Sequence, residues 1–182
     1  MKIFGIDPGS ERTGYGCVET DGSRHRIITC GAITSAASVS FPERLLAIHA
    51  GLSALLADCR PECVAIESLF FAINVRSALK LGHARGVAML AAVEAGLPVV
   101  EYTPAEIKRA VVGYGRAEKH QVQQMVTLIL GLTTLPTPYD ASDALAIAIC
   151  HSHSQAPRGV EIPKATRSRA ATSWRHYRPE SS

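Results

Sequence analysis

Lys2-Ile3-Phe4-Gly5-Ile6-Asp7, then Pro8-Gly9-Ser10, then Thr13-Gly14-Tyr15-Gly16-Cys17-Val18-Glu19-Thr20, reads as a β-type segment, a tight turn and a second β-type segment. Asp7-Pro8-Gly9-Ser10 is a strong turn signal, and a second one, Asp21-Gly22-Ser23, leads into a third β-type run from Arg26 to Thr34. Short β-type runs broken by such turns predict an antiparallel three-strand meander. Pro42 to Cys59 then changes period: Leu45, Leu46, Ile48, Leu52, Leu55 and Leu56 recur at helical spacing behind a proline start. This helix crosses over to Glu62–Glu67, short and apolar around Val64 and Ile66, as a buried parallel strand is. Asn74 to Ala95 reads as a helix stopped at Gly96, Pro98 to Tyr102 as a fifth strand, and Pro104–Val112, Ala117–Leu130 and Tyr139–His151 as helices. The order β-β-β-α-β-α-β-α predicts an α/β domain, a mixed five-stranded sheet flanked by helices.

Composition bounds the rest. The chain has 182 residues, 47% of them hydrophobic, enough for one domain of ordinary size and too few for a large two-lobed enzyme. No stretch approaches the run of about 18 apolar residues that a membrane helix needs. Met1 to Asp7 meets its acidic residue too early for a signal peptide, so the expected location is the cytoplasm, with no membrane partner. Cys17, Cys30, Cys59, Cys63 and Cys150 are odd in number and contain no C-x-x-C pair, which favours buried free thiols over a disulfide framework or zinc ribbon. The net charge of +3 is unevenly placed: from His151 onward six basic residues face two acidic ones, leaving the first 150 residues at −1. The expected division is a folded domain over 1–153 and a flexible basic tail over 154–182, rich in Ser, Thr, Pro and Arg. Overall charge therefore says little about nucleic-acid binding by the folded body; only a local basic patch argues for it.

Carboxylates stand at the ends of the predicted elements. Asp7 closes the first strand, Glu67 closes the fourth, and Asp140 and Asp143 open the last helix, three positions apart and therefore on one face. If the first and fourth strands are neighbours, their carboxyl ends converge. Four like charges at one place repel unless cations hold them, and an all-oxygen donor set suits Mg²⁺ or Mn²⁺ rather than zinc. Such a site implies phosphoryl chemistry. Each piece also has an ordinary reading: Asp7-Pro8-Gly9 is a good turn by itself, Asp140 and Asp143 suit a helix start, and Glu67 fits a solvated strand end. Glu67 tips the balance, because it directly follows Cys63-Val64-Ala65-Ile66 with no basic neighbour, and an isolated buried anion is costly.

Several separated motifs resemble the RuvC family of bacterial Holliday junction resolvases. They are Gly5-Ile6-Asp7-Pro8-Gly9-Ser10 with Thr13-Gly14-Tyr15-Gly16, Ala65-Ile66-Glu67, Ser77-Ala78-Leu79-Lys80-Leu81-Gly82, Ala84-Arg85-Gly86-Val87, Val111-Val112-Gly113, Ala117-Glu118-Lys119, Gln121-Val122-Gln123 and Asp140-Ala141-Ser142-Asp143-Ala144-Leu145-Ala146. The match runs in register from Ile3 to about His153, far more specific than the Gly-rich opening alone. The resemblance implies an RNase H-like fold, a homodimer, and a Mg²⁺-dependent endonuclease making paired nicks in four-way DNA junctions, with 5′-phosphate and 3′-hydroxyl products. It puts Asp7, Glu67, Asp140 and Asp143 on the family's four catalytic acidic positions. Two Mg²⁺ ions, which Mn²⁺ can replace, would share Asp7, one activating water and the other stabilising the leaving 3′ oxygen. RuvA with RuvB, the branch-migration motor, is the partner implied for delivery of the junction.

The same resemblance assigns Lys108 and Lys119 to the DNA, with Arg76, Lys80, Arg85, Arg109 and Arg116 nearby in sequence. Phosphate contacts from such side chains give affinity with little base preference and a steep salt dependence. For Lys80 and Arg85 an ordinary solvated helix face is an equal reading, whereas Lys119 stands on a loop-to-helix corner after Gly113, Gly115 and Ala117. Aromatics are scarce, which draws attention to Phe70-Phe71 just beyond Glu67; Phe70 matches the family's wedge or stacking residue, while Phe71 suits the core. His151 and His153 lie two or more turns beyond Asp143 and read as ordinary polar surface. Two rival functions remain. An actin-like or sugar-kinase-like phosphotransferase shares the opening Asp-x-Gly turn but needs a second lobe and phosphate loop, and a non-catalytic junction-binding module shares the fold but has no need of four carboxylates.

Overall fold

Five strands and five helices follow one another in the computed structural model, which describes residues 1–36, 38–68 and 75–155. β1 (Lys2–Asp7), β2 (Arg12–Thr20) and β3 (His25–Thr34) form the meander, with β1 antiparallel to β2 and β2 to β3. α1 (Phe41–Cys59) carries the chain across to β4 (Cys63–Glu67), parallel to β1, and α2 (Val75–Glu94) carries it on to β5 (Val99–Tyr102), parallel to β4. The order across the sheet is β3-β2-β1-β4-β5, so the first and fourth strands are neighbours. α3 (Pro104–Val112), α4 (Lys119–Ile129) and α5 (Tyr139–Gln155) complete the chain.

Strand alternation divides the core into two layers. Phe4, Ile6, Cys17, Val64 and Ile66 face α1 and α2, whereas Ile3, Val18, Cys63 and Ala65 face α3, α4 and α5. Each fully buried Ile, Val or Phe contributes about 1.5–3 kcal/mol relative to exposure. α5 lies flat on β1 and β2, buried from Ala144 through Ser152, and its alanines permit a close approach. The approach also needs Gly5: a Cβ there would sit 2.0 Å from the carbonyl oxygen of Ala144.

The helices differ from the predicted bounds only at their ends, for local reasons. α4 begins at Lys119 instead of Ala117 because the Glu118 N–H donates to Gln121 Oε1 at 2.8 Å, closing the first turn, while Ala117 packs into the core. α5 runs past His151 to Gln155, where the Ser154 hydroxyl donates to the carbonyl of Cys150 at 2.8 Å. It thus crosses the boundary expected after residue 153. No described helix is long and apolar enough to cross a membrane.

Candidate active site

The last registered pair of β1 and β4 is Ile6 with Ile66, so the next residues, Asp7 and Glu67, leave the sheet side by side. Alternation turns both onto the face that α5 covers. The turn after Asp7 is held from within. The buried Thr13 hydroxyl donates to the Gly9 carbonyl at 2.8 Å and accepts from the Gly9 N–H at 3.4 Å. Beyond Glu67, the Ser68 N–H donates to the Tyr102 carbonyl at 2.8 Å, so the strand end stays paired to β5.

α5 supplies the other two carboxylates, Asp140 from its first turn and Asp143 from the next. Its entry is fixed by buried Gln123 on α4, whose side-chain amide donates to the Pro136 carbonyl at 3.0 Å. Arg12 Nη1 donates to Asp140 Oδ2 at 3.3 Å, and the Lys119 ammonium stands 2.7 Å from Asp143 Oδ2. Asp7, Glu67, Lys108, Lys119 and Asp143 line one cleft of about 340 Å³, floored by Ile107, Val122, Ala146 and Ile147. Asp140 sits at its edge and lines the adjoining hollow with Arg12.

An apolar floor under several carboxylates has an electrostatic consequence. Burial first, then the charges of Asp143, Glu67 and Asp140, push the Asp7 carboxyl up to about 8, with Lys119 opposing. Burial and then Asp143 raise Glu67, against Lys119 and Lys108. Burial also raises Asp143, although its hydrogen bond and ion pair with Lys119 act the other way. The cleft therefore favours cations, and its oxygen-only donors are those of Mg²⁺ or Mn²⁺. Among the described residues no three His, Cys, Asp or Glu side chains stand close enough together to hold a metal ion. Lys119 supplies part of the counter-charge in this arrangement.

The expected DNA-contacting residues separate into two groups. Lys108 and Lys119 line the cleft. Lys119 is 59% exposed on its helix corner, and its ammonium lies 5.6 Å from the Tyr139 ring centre. Lys80 and Arg85 belong to α2, in the layer on the other side of the sheet. Lys80 Nζ lies 5.8 Å from the Phe41 ring centre, and Arg76 is exposed at the start of the same helix. Arg85 is only 19% exposed and bridges strand ends: its Nε donates to the Glu67 carbonyl at 3.3 Å and its Nη2 pairs with Glu101 at 2.5 Å. That contact gives Arg85 a place in holding Glu67. Phe70 and Phe71 lie outside the described residues. His151, expected on the surface, is buried and bonded to the Tyr102 hydroxyl at 2.8 Å, away from the cleft. Arg109 and Arg116 do not line the cleft.

Two neighbours of the cleft escape a reading by motif. Arg12 follows the Asp7 turn but reaches Asp140 only through the fold, and Tyr139, 55% exposed, directly precedes Asp140. The adjacency of an aromatic to Asp140, in a chain poor in aromatics, was the available signal for Tyr139. Of all these groups Lys119 has the strongest tie to the carboxylates. Lys119→Met keeps the aliphatic stem and removes the charge; it is expected to lower the rate of any reaction carried out in the cleft by about 10²-fold or more with the melting temperature within a few degrees of wild type. An undiminished single-turnover rate in that variant would mean that Lys119 takes no part in that reaction.

Residues 3–151 match the family model described as crossover junction endodeoxyribonuclease RuvC. A crossover junction endodeoxyribonuclease RuvC of Trichlorobacter lovleyi is 52% identical over 179 residues, covering 98% of this chain and all of the relative. The structure of RuvC from Thermus thermophilus superposes with a TM-score of 0.78 at 39% identity, covering 84% of this chain and 94% of that one. The same bacterium's RuvC in complex with a Holliday junction substrate matches with a TM-score of 0.78 at 37% identity and the same coverage.

Proposed function

The chain belongs to the RuvC family of crossover junction endodeoxyribonucleases, and from that premise we infer that it resolves Holliday junctions by hydrolysing DNA phosphodiester bonds at the Asp7, Glu67, Asp140 and Asp143 cleft. Its mixed five-stranded sheet flanked by helices is the RNase H-like fold of that family. The observation that carries the assignment of the cleft is the shared apolar-floored cavity, where burial and then like charges push Asp7 far above the ordinary carboxylate range. Neither rival function accounts for that arrangement. A phosphotransferase of the two-lobed kind needs a second lobe, and a binding module gains nothing from clustered anions beside a polyanionic ligand.

Asp7, Glu67, Asp140 and Asp143 would hold Mg²⁺, with Mn²⁺ as a substitute, and the family resemblance implies two such ions. Held there, the ions would activate water for in-line attack on the scissile phosphate and neutralise charge at the leaving 3′ oxygen. The chain's own cations have complementary tasks. Lys108 and Lys119 draw the phosphodiester into the cleft, and Lys119 restrains Asp143 before DNA arrives. Arg85 and the Ser68 N–H keep Glu67 at the mouth of the sheet, where its carboxylate faces the same space as Asp7. Products carry a 5′-phosphate and a 3′-hydroxyl.

Paired cuts need two active sites related by the two-fold symmetry of the junction, and α2 supports a homodimer. Exposed Val75, Leu79, Leu90 and Val93 form an apolar stripe along its outer face. Between them Gly82 and Gly86 help line a shallow hollow of about 490 Å³ and leave room for a close partner helix. The proposed occupant is the α2 of a second copy, packed across a two-fold axis. Leu90→Asp is expected to convert the dimer to monomer in multi-angle light scattering and to turn paired cuts on a cruciform plasmid into single nicks; a dimer that survives the aspartate would exclude this face. RuvA with RuvB is the corresponding delivery partner proposed from the family resemblance.

The test of the function is cleavage of a labelled four-way junction beside a linear duplex of the same sequence, with Mg²⁺ and with EDTA. The expected result is paired nicks confined to the junction and abolished by EDTA. Junction binding without nicks would favour the non-catalytic module.

A further inference from the structure

The hollow behind Asp140 has no part in the mechanism above. It measures about 380 Å³ and is lined by Glu11, Arg12, Thr34, Ser35 and Asp140, at the ends of β2 and β3 where they pass the start of α5. We propose that this hollow is a subsite for the DNA phosphate next to the scissile one, with Arg12 as its anchoring cation and Thr34 and Ser35 as hydroxyl donors. The proposal rests on the assignment of the cleft as the nuclease site and deepens it.

Three observations lead there. First, charge: the cleft wall built by α3 and α4 carries Lys108 and Lys119, whereas on the β2–β3 side Arg12 is the cation among the residues lining the hollow. Among the described residues that line the cleft and the hollow, Arg12 is the cation a strand would meet on the second side. Second, the Arg12–Asp140 pair is a poor structural investment in itself. At 3.3 Å with Arg12 53% exposed, a single surface ion pair contributes little to folding. When Asp140 shares its charge with a cation, that hold on Arg12 weakens. The guanidinium has five N–H donors in a fork suited to a phosphate, more than one carboxylate oxygen uses. Third, the remaining acid of the hollow is already countered: the Glu11 carboxylate faces Arg44 at 3.7 Å. In the DNA-free arrangement Arg12 thus stands guard over Asp140, and in the complex it turns to the neighbouring phosphate.

The experiment uses the full chain and four-way junctions carrying one neutral methylphosphonate, placed at the phosphate on either side of the cut. Binding is read by fluorescence anisotropy with Ca²⁺ in place of Mg²⁺, at several salt concentrations, for wild type, Arg12→Ala and Arg12→Lys. Arg12→Ala is expected to weaken binding of the unmodified junction by about 5–10-fold and to reduce the salt slope by about one, with Arg12→Lys between. One of the two methylphosphonates should weaken wild type by a similar factor and Arg12→Ala no further. If both methylphosphonates weaken the two proteins equally, or if Arg12→Ala slows cleavage with affinity and salt slope unchanged, Arg12 serves only to position Asp140 and the subsite is rejected. Failure of wild type to bind any junction would reject the nuclease reading instead.

Discussion

Asp7→Asn is expected to abolish junction cleavage, by about 10³-fold or more, while leaving junction affinity largely intact and making the metal-free protein more stable. The three results have one cause. Asp7 lies where the charges of Asp143, Glu67 and Asp140 add to a burial cost, so its carboxyl titrates at about 8 instead of its ordinary 3.8. A carboxyl that holds its proton more tightly folded than unfolded binds more protons in the native state, and stability then falls as pH rises. The penalty is absent below about pH 4, grows between the two values and is constant above about pH 8. Asparagine keeps the shape and never ionises. In EDTA, the melting temperature of Asp7→Asn should exceed wild type by several degrees at pH 8, at about 2–4 °C per kcal/mol for a domain of this size, and by clearly less at pH 5. Mg²⁺ should narrow the gap by binding the native wild type more tightly than the variant. Cleavage that persists in Asp7→Asn, or a gap that widens toward pH 5, would contradict the charge-cluster account.

That cluster was partly legible in the chain itself. The positions of Asp7, Glu67, Asp140 and Asp143 at element ends follow from local turn chemistry and hydrophobic period, which short-range sequence records well. Their proximity required the strand order, since only a parallel β1–β4 pairing sets Asp7 beside Glu67. What sequence order hides is who neutralises whom. Glu67 has no cation near it along the chain, yet in space Lys108 and Lys119 both lower its pKa. Arg12 and Asp140 are 128 residues apart and share a hydrogen bond. Arg85 resembled a DNA-facing cation on a long helix, but its guanidinium is committed to Glu67 and Glu101. The outward face of α2 misleads for a related reason. Ala84, Ala88, Ala91 and Ala92 are core, while Leu79, Leu90 and Val93, the more hydrophobic set, are exposed. Hydrophobicity along a helix marks what is to be covered, without distinguishing the sheet beneath from a second chain.

Those carboxylates also demand a tolerance that only the packing of α5 on the sheet reveals, and a single methyl group should expose it. Gly14 pairs with Asp7 across β1 and β2, and a Cβ at Gly14 would lie 2.1 Å from the carbonyl oxygen of Asp140 and 2.9 Å from its Cβ. Both contacts are with atoms fixed by the helix backbone, so no side-chain rotation relieves them. Either β2 moves away from β1, disturbing the partner of Asp7, or α5 lifts and carries Asp140 and Asp143 from the cleft. Overpacking of this kind costs roughly 1–3 kcal/mol, occasionally more, which at about 2–4 °C per kcal/mol is a melting-temperature loss of roughly 2–12 °C. The functional cost should be larger, because misplacing catalytic groups by about 1 Å lowers rate by about 10²-fold. Gly14→Ala is therefore expected to remain folded at 25 °C, to bind junctions, and to cleave them at least about 10²-fold more slowly than wild type. Gly115→Ala provides the comparison, since the nearest atoms to the new methyl belong to Ala105, its carbonyl oxygen at 3.4 Å and its Cβ at 3.6 Å, both ordinary contacts. It should leave both stability and cleavage near wild type. Equal cleavage by Gly14→Ala and wild type would mean that α5 can lift without moving its carboxylates, and the close seat of that helix would then serve the fold alone.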